Sequence, residues 1–430
     1  LSLYQDGKDI QVLGSTIHSE GDTVLGAKGA IDIGTIKTDG VESVDLGYKK
    51  SVAAVGSSID VGAAFTLRSG GDTTVTGSDI DVNGDADVST GGNLTFHAAK
   101  ESSEDVINHT AVSGGLVSIE SVTTSKKRLN THRGTQFNVG ANAKIKSEKD
   151  IHLSGSDITI QGYGDIDAEG EINVLAVFDS ETSDSTTQSR GLFYEKDEDI
   201  RDFETTVKGS SIQTAGHLDV SAGADVFVYG SDLNADGRLA VHSDKSVMLV
   251  SAKAVKTHHE NSSESHGFWY SQDKQKDDLT ETQQSSLIKS GLDMDLIAKE
   301  DITFIGSELL SGSDATLAAG DKLTVSSALE TEAHRSMEET QNFAGFSGEI
   351  DLLRLSVSAS IHQEGNQTEH SESKVGQKAS SFQVSGGLKT HSGGDTEVMG
   401  SNIIAYGNVD MESEGDLRLM SVETIDTELN

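Results

Sequence analysis

Apolar and polar residues alternate along most of the chain in very short runs. In the stretch 56–99, pairs such as Phe65 and Leu67, or Ile80 and Val82, are separated by one position. Gly, Asn, Asp and Ser separate the runs, so each predicted strand is only about three to five residues long. No apolar stripe with a helical period persists, and the pattern therefore predicts an all-β chain.

A tetrapeptide of Gly, Ser, an acidic or amide residue, and Ile or Leu recurs along the chain. It begins at Gly77, Gly155, Gly230, Gly306 and Gly400, with gaps of 78, 75, 76 and 94 residues. Each copy has a weaker echo 21 residues earlier, such as the segment 134–137 before the copy at Gly155. Two nested periods, a rung of about 21 residues inside a longer cycle, are typical of a solenoid.

Strands this short, repeated at a fixed rung length, predict a parallel β-helix in which each rung stacks on the one before it. We expect it to be right-handed, because parallel crossover connections nearly always are. The repeated tetrapeptide is then a structural corner, since Gly and short polar residues favour turns. Its predicted corner residues are Gly77, Ser78, Asp79, Gly155, Ser156, Asp157, Gly230, Ser231, Asp232, Gly306, Ser307, Gly400 and Ser401.

Four polar inserts interrupt the rungs, at about 100–133, 178–208, 254–284 and 329–378. Their lengths are not multiples of the rung, so the chain must leave the helix and return. Each has a Gly-apolar step near its middle, which predicts a β-hairpin arm, one for every two rungs, projecting from the same corner. The first cycle has only a short insert, around 35–54. We expect residues 1–430 to form one β-helix shaft of about twelve rungs.

Composition supports this fold and narrows the function. The 430 residues include no Pro and no Cys, and the formal net charge is −37. The absence of Pro suits a backbone whose N–H groups are needed in hydrogen-bonded ladders. The acidic balance argues against nucleic-acid binding, which needs a basic face. No apolar run is long enough to span a membrane as a helix, and a chain that begins in mid-pattern is expected to be a piece of a longer one.

Candidate chemistry is sparse. The sequence has no nucleophile elbow, phosphate loop, dinucleotide fingerprint or zinc-protease motif, and we predict no catalytic residue and no cofactor. His258 and His259 are adjacent, so on an extended chain they point to opposite sides and make a poor metal chelate. The pairs Gly71-Asp72 and Gly394-Asp395 are better explained as corners whose carboxylates accept backbone N–H groups than as calcium sites.

Aromatic residues near the arm centres are the candidate contact residues, since exposed aromatics often anchor interfaces. The alternative is that they hold the strands of a hairpin together or lay an arm on the shaft. The candidates are Phe193, Tyr194, Phe268, Trp269, Tyr270 and Phe346.

The turn motif, the Gly-Asp rungs at 21–24 and 71–75, and the polar arms with a Gly-aromatic centre together resemble the haemagglutinin repeats of filamentous haemagglutinin-like exoproteins. These are large proteins of two-partner secretion in Gram-negative bacteria. The resemblance covers essentially the whole chain. A repeat class with arms looks most like the second repeat region of contact-dependent inhibition effectors.

This resemblance implies a shaft segment of a secreted, cell-surface exoprotein that displays or delivers a C-terminal toxin to neighbouring cells. It implies an outer-membrane two-partner secretion transporter as a partner, engaged through a domain outside this sequence, and a target-cell surface or outer membrane as a further contact. Two alternatives stay open: an adhesin module that binds host or bacterial surfaces through its arms, and a polysaccharide-active β-helix enzyme.

Overall fold

The structure is a computed structural model that describes residues 1–114, 118–267, 269–351 and 356–429. The described chain is built of strands and turns, as the alternating pattern predicts. Three of its sheets are parallel and wrap around a common interior, and a fourth is antiparallel. We name the parallel sheets A, B and C, in the order in which each rung passes through them, and the antiparallel one the arm sheet.

Sheet A and sheet B each contain twelve strands among the described residues, so the shaft has the twelve rungs that the repeat predicts. Sheet A consists of β1 (Ser2–Gln5), β4 (Thr23–Ala27), β9 (Phe65–Ser69), β12 (Ala86–Thr90), β17 (Ala143–Ser147), β20 (Gly164–Ala168), β25 (Leu218–Ala222), β28 (Leu239–Ser243), β33 (Met294–Ala298), β36 (Ala315–Ala319), β41 (Leu388–Ser392) and β44 (Val409–Ser413). Sheet B consists of β2 (Ile10–Leu13), β5 (Ile31–Gly34), β10 (Thr73–Thr76), β13 (Leu94–His97), β18 (Ile151–Ser154), β21 (Ile172–Leu175), β26 (Val226–Tyr229), β29 (Val247–Val250), β34 (Ile302–Ile305), β37 (Leu323–Ser326), β42 (Thr396–Met399) and β45 (Leu417–Met420).

Sheet C completes the rungs with eleven strands in the described chain. They are β3 (Thr16–Ser19), β8 (Ser58–Val61), β11 (Asp79–Val82), β16 (Gln136–Val139), β19 (Asp157–Ile160), β24 (Ser211–Thr214), β27 (Asp232–Ala235), β32 (Leu287–Ser290), β35 (Glu308–Ser311), β40 (Ser381–Val384) and β43 (Asn402–Ala405).

The core is a set of apolar columns along the shaft axis. In sheet A, Leu25, Leu67 and Val88 occupy equivalent positions in successive rungs and are buried. Rings stack in the same way: the centroids of Phe96 and Phe137 lie 5.8 Å apart. Because inward positions alternate with outward ones, a shift of one residue in any rung would expose its whole apolar set. The fold class is therefore the predicted parallel β-helix; its hand stays a prediction.

Five hairpins leave the shaft between sheet B and sheet C, one in every second rung. Hairpin 1 is β6 (Ile36–Val44) and β7 (Gly47–Val55), so the short first insert is also an arm. Hairpins 2 to 5 are β14 (Ala99–Gly114) with β15 (Ser118–Arg133), β22 (Val177–Gly191) with β23 (Tyr194–Lys208), β30 (Ala252–His266) with β31 (Tyr270–Gln284), and β38 (Ala328–Asp351) with β39 (Ser356–Lys378). A final strand, β46 (Ile425–Leu429), pairs with β39.

The hairpins do not project separately, because each one pairs with the next along most of its length. They form one antiparallel arm sheet beside the shaft. The geometry is commensurate: a hairpin supplies two strands, and the next hairpin starts two rungs on, each about 4.8 Å wide. Two strands therefore fill the space between successive exits.

The hairpins differ in reach. Hairpin 1 ends at Gly47, which lies opposite Ile107 of hairpin 2. Hairpins 2, 3 and 4 end at nearly the same level, since Ile119 lies opposite Gly191 in the sheet. Hairpin 5 continues past Asn342, the partner of Tyr270, and beyond that point its two strands pair only with each other among the described residues.

Candidate functional site: the hairpin corner and the arm sheet

The repeated tetrapeptide lies at the corner between sheets B and C, in the rungs that carry no hairpin. There the chain turns directly, and the motif glycine adopts a positive φ, between 51° and 58° in the five copies. A Cβ on Gly155 would lie 2.4 Å from Val177 Cγ2, at the start of hairpin 3. Glycine is thus required both by the backbone angle and by the hairpin that leaves from the adjacent rung.

A sixth copy of this corner was missed by sequence reasoning. Gly14 has a φ of 53° and packs against Ile36, the first residue of hairpin 1. Thr16 stands where the other copies have an acidic or amide residue, which removed it from the pattern. The Gly-Ser step alone would have found it.

The motif serines form a buried hydroxyl ladder that runs from rung to rung. The Thr135 N–H donates to Ser156 Oγ (3.2 Å), and the Ser156 N–H donates to Ser210 Oγ (3.1 Å). The next link joins the Ser210 N–H to Ser231 Oγ (3.0 Å). These side chains are almost completely buried, so each hydroxyl satisfies a backbone donor that the tight corner would otherwise leave unpaired.

The echo of the motif is the same corner in the rungs that carry a hairpin. There the hydroxyl donates to the last carbonyl of the preceding sheet B strand, across the base of the hairpin. Thr135 Oγ1 donates to the His97 carbonyl (2.8 Å), and Ser286 Oγ donates to the Val250 carbonyl (2.7 Å). The chain therefore closes the corner where it leaves and re-enters the shaft, which explains why the echo keeps its hydroxyl but relaxes the rest.

The acid of the motif faces the last residue of the hairpin that enters the next rung. Arg133 Nη2 lies 2.9 Å from Asp79 Oδ2, and Lys378 Nζ lies 3.7 Å from Glu308 Oε1. Hairpin 4 ends in Gln284 instead of a base, beside Asp232. Burial raises the pKa of Asp232, and repulsion from Glu308 adds to it. Asp157 accepts a hydrogen bond from Ser211 Oγ (2.7 Å).

Ion pairs between neighbouring hairpins hold the arm sheet together. Lys127 Nζ of hairpin 2 lies 2.6 Å from Glu181 Oε1 of hairpin 3. His258 Nδ1 of hairpin 4 lies 2.6 Å from Asp202 Oδ1 of hairpin 3. Because the strands carry few apolar residues, cross-strand pairs of opposite charge provide much of their pairing specificity.

One row of direct cross-strand neighbours shows this most clearly. It alternates acids with histidines across hairpins 3 to 5, in the order Asp202, His258, Asp278, His334 and Glu372. His334 pairs with Asp278, which also accepts Lys276 Nζ at 2.8 Å. Burial opposes ionisation of Asp278, but Lys276 and His334 outweigh it and lower the pKa of this carboxyl.

The candidate contact residues divide into two groups. Phe193 and Trp269 lie at the tips of hairpins 3 and 4 and are 70% and 51% exposed. Tyr194 and Tyr270 lie one residue inside the tips and are half-buried. Phe268 lies outside the described residues, and Phe346 lies in β38, where the described part of the chain includes only its backbone.

The half-buried tyrosines join two hairpins to each other. The ring centroids of Tyr194 and His266 lie 5.1 Å apart, and those of His266 and Tyr270 lie 5.7 Å apart. Sequence reasoning missed His266 as the residue that links them, because the pairing of hairpins 3 and 4 was not foreseen. The aromatics thus connect neighbouring arms as well as the two strands of one arm.

The expected corner role of the Gly-Asp pairs is confirmed. Asp72 Oδ1 accepts the Asn93 N–H (2.8 Å), and Asp395 Oδ1 accepts the Asp416 N–H (2.9 Å), in each case from the next rung. His258 and His259 turn to different partners, Asp202 and Asp277. Within the described ranges, no group of three or more His, Asp or Glu side chains is arranged to hold a metal ion.

In the part of the chain that the structure describes, no helix has the length and apolarity that crossing a membrane requires.

The fold and the corner define a repeat protein, a parallel β-helix that carries one hairpin for every two rungs. The chain belongs to the hemagglutinin repeat family, whose model matches residues 42–124, 116–197, 193–277 and 266–428. The four matched segments each include one of the long hairpins. This confirms the resemblance drawn from the corner motif and the arms.

Curated relatives of the chain are long proteins. It is 26% identical over 345 residues to the tRNA nuclease CdiA-2 of Burkholderia pseudomallei strain 1026b, covering 75% of this chain and 11% of the relative. It is 23% identical over 342 residues to a hemolysin of Proteus mirabilis, covering 75% of this chain and 22% of the relative. A tRNA nuclease CdiA of Escherichia coli strain STEC_O31 is 23% identical over 389 residues, which are 86% of this chain and 10% of the relative.

The chain therefore spans about a tenth to a fifth of the length of these relatives. No solved structure matches the chain.

Proposed function

We propose that this chain is a non-enzymatic shaft segment of a large exoprotein, secreted to the bacterial cell surface by a two-partner transporter. Residues 1–430 act as one rigid unit that displays or delivers a C-terminal toxin to neighbouring cells. The single observation that carries this proposal is the corner between sheets B and C. It is rebuilt in successive rungs with the same hydroxyl ladder, so the shaft and the arm sheet are held in one register.

The corner supports a mechanical role. The ladder from Thr135 to Ser231 joins consecutive rungs by side-chain hydrogen bonds in addition to the sheet pairing. The arm sheet joins the same rungs a second time, on the outside of the shaft. A rod that is braced along two lines resists bending better than a single stack, which suits a segment that sets the reach of a distant domain.

A repeat-length deletion tests this role. Removing residues 155–229 takes out two rungs and one hairpin, and it joins Ser154 directly to Gly230, which begins the next motif copy. Because each repeat contacts only its neighbours, the shortened shaft should fold and should be about 10 Å shorter. In the full-length exoprotein, we expect secretion to be kept and inhibition of neighbouring cells to change gradually with the number of repeats removed.

A deletion of the same size that breaks the period is the matched control. Removing residues 165–239 also takes out 75 residues but leaves Gly164 beside Ala240, which is out of phase in sheet A. If both deletions abolish inhibition equally while both proteins are displayed at the cell surface, the shaft role fails.

A second candidate function is adhesion through the arms, favoured by the exposed Phe193 and Trp269 at two hairpin tips. Replacing residues 251–285 by one glycine removes hairpin 4 and converts its exit into the direct Gly-Ser turn of the other rungs. Adhesion through this hairpin predicts a loss of cell attachment with an intact shaft. Unchanged attachment would exclude hairpin 4 as the adhesive element.

A further inference from the structure

The tips of the hairpins are apolar, whereas the corners of the shaft are not. Leu46 in hairpin 1, Leu192 and Phe193 in hairpin 3, and Trp269 in hairpin 4 occupy turn positions. They are 65%, 65%, 70% and 51% exposed. Gly, Asn, Asp and Ser normally fill such turns, as they do between the sheets of the shaft. Large apolar side chains at successive tips of a strongly acidic chain therefore need an explanation of their own.

Two of these residues also hold an unfavourable backbone conformation. Leu46 and Phe193 both have a φ of 66°, and they are the two non-glycine residues with positive φ in the described chain. In this region, Asn or Gly would be favoured over a bulky apolar residue. Phe193 thus combines a strained backbone with exposure of its ring to water, a combination typical of functional positions.

The tips of hairpins 3 and 4 form one continuous surface, which we call the tip surface, made of Leu192, Phe193 and Trp269. The two tips touch, since a Cβ built on Gly267 would lie 3.6 Å from the Phe193 ring and 3.8 Å from the Trp269 ring. Arg190 and His266 stand just behind it, paired with Glu195 (3.1 Å) and Glu264 (2.9 Å). An apolar edge is therefore backed at once by charged groups.

We propose that the tip surface inserts into the interfacial region of a lipid bilayer. It is a narrow edge only one or two residues deep, far from the roughly 800 Å² per partner that a stable protein interface usually buries. Trp, Phe and Leu backed by Arg form the arrangement that lies at a membrane interface, with the apolar groups among the acyl chains and the charges at the headgroups. This inference deepens the second candidate function by naming lipid as the surface contacted.

The net charge of −37 shapes this contact. An acidic protein is repelled by anionic headgroups, and salt screens the repulsion. Binding should thus be stronger to zwitterionic phosphatidylcholine than to vesicles rich in phosphatidylserine, and the difference should shrink as salt rises.

Trp269 is the only tryptophan in the chain, so its emission reports directly on the tip surface. Mixing the protein with phosphatidylcholine vesicles should shift this emission to shorter wavelength, and lipids brominated near the headgroup end of the acyl chain should quench it. The double variant Leu192→Ser with Phe193→Asn should reduce vesicle partitioning at least tenfold. Since Asn is favoured at the Phe193 backbone angle, this variant is expected to fold.

Leu46→Asn is the matched control. It makes the same kind of change in a turn with the same φ, but hairpin 1 ends well short of the tip surface, so partitioning should be unchanged. Three outcomes overturn the proposal: no emission shift or quenching, partitioning that the double variant does not reduce, or an equal loss in Leu46→Asn. If vesicles fail to bind while cells still attach through hairpin 4, the lipid contact is wrong and adhesion to a protein or glycan stands.

Discussion

Arg133 and Asp79 form an ion pair, with 2.9 Å between Nη2 and Oδ2, that ties the end of hairpin 2 to the motif corner of the preceding rung. Lys378 and Glu308 repeat the arrangement at hairpin 5, at 3.7 Å. A hairpin that leaves the shaft has to return to a fixed place, and a pair at its last residue marks that place. Hairpin 4 lacks this device, because Gln284 replaces the base.

Gln284→Arg should stabilise the protein. It places a cation opposite Asp232, whose pKa is raised by burial and by the neighbouring Glu308 and Asp157 carboxylates. A partly exposed pair of this kind contributes up to about 1 kcal/mol. Chemical denaturation at pH 7 should show the gain, and it should vanish in the Asp232→Asn background. A gain that persists without the carboxylate would rule out this pairing.

The pH dependence of the same corner has a defined sign. The folded-state pKa of Asp232 lies above its unfolded value, so the native state binds more protons there as the carboxyl titrates. Stability contributed by this residue should therefore fall as pH rises from about 4 through the raised pKa. Comparing the pH profiles of the unmodified protein and Asp232→Asn isolates this contribution; a difference of the opposite sign would contradict it.

Asp278 in the arm sheet should behave in the opposite way. Its pKa is lowered because Lys276 and His334 outweigh the effect of burial. Its contribution to stability should be present above pH of about 4 and be lost as pH falls through the lowered pKa. Amide hydrogen exchange in hairpins 4 and 5 should reveal this loss locally, and Lys276→Gln should move it to higher pH. An identical exchange profile in that variant would contradict the assignment.

The shaft could be predicted from the sequence because its signals are local and repeated. Gly155 and Ser156 recur with their neighbours at fixed spacing, and the alternation around Ile158 and Ile160 identifies the buried face of the strand. A spacing that repeats five times leaves little freedom in register. Two rungs for each arm, the corner position and the fold class followed from this alone.

The arm sheet could not be predicted in the same way. Its strands are long and polar, as in 252–266, so no alternating apolar pattern marks which neighbour they face. Their pairing depends on the match between two rungs and two strands, and on pairs such as His258 with Asp202, which are 56 residues apart. The contact of Tyr194 with His266 depends on that pairing, and it was missed for the same reason.

Ser156→Ala tests the hydroxyl ladder. The Oγ accepts the Thr135 N–H at 3.2 Å and donates to the Ser154 carbonyl at 3.0 Å, and its surroundings are buried. Removing it leaves a buried backbone donor unpaired, which costs about 1–3 kcal/mol. Equilibrium unfolding should show this loss. Ser262→Ala, at a position in hairpin 4 that is not in the ladder, is the control and should change stability by less than about 0.5 kcal/mol.

Gly155→Ala should be more damaging than Ser156→Ala. The new Cβ would meet Val177 at 2.4 Å and Ala98 at 3.0 Å, and the φ of 57° is unfavourable for alanine. Backbone strain and overlap together should cost about 2–4 kcal/mol. Gly376→Ala in β39 is the matched control, since its nearest neighbour would be Glu330 Cβ at 4.0 Å. Thermal unfolding that ranks the two variants equally would contradict the corner's need for glycine.

Leu46→Asn should make the protein more stable, although it removes an apolar side chain. Leu46 is 65% exposed and has a φ of 66°, so the side chain stabilises little in the folded state while the backbone is strained. Asn tolerates this conformation better, and the expected gain is about 0.5–1 kcal/mol. Phe193→Asn should gain a similar amount, since its φ is the same. Only Phe193→Asn should also weaken vesicle binding, because Phe193 lies in the tip surface and Leu46 does not. Stability that falls in both variants would show that these turns are not strained, and the tips would then need no functional reason for their apolar residues.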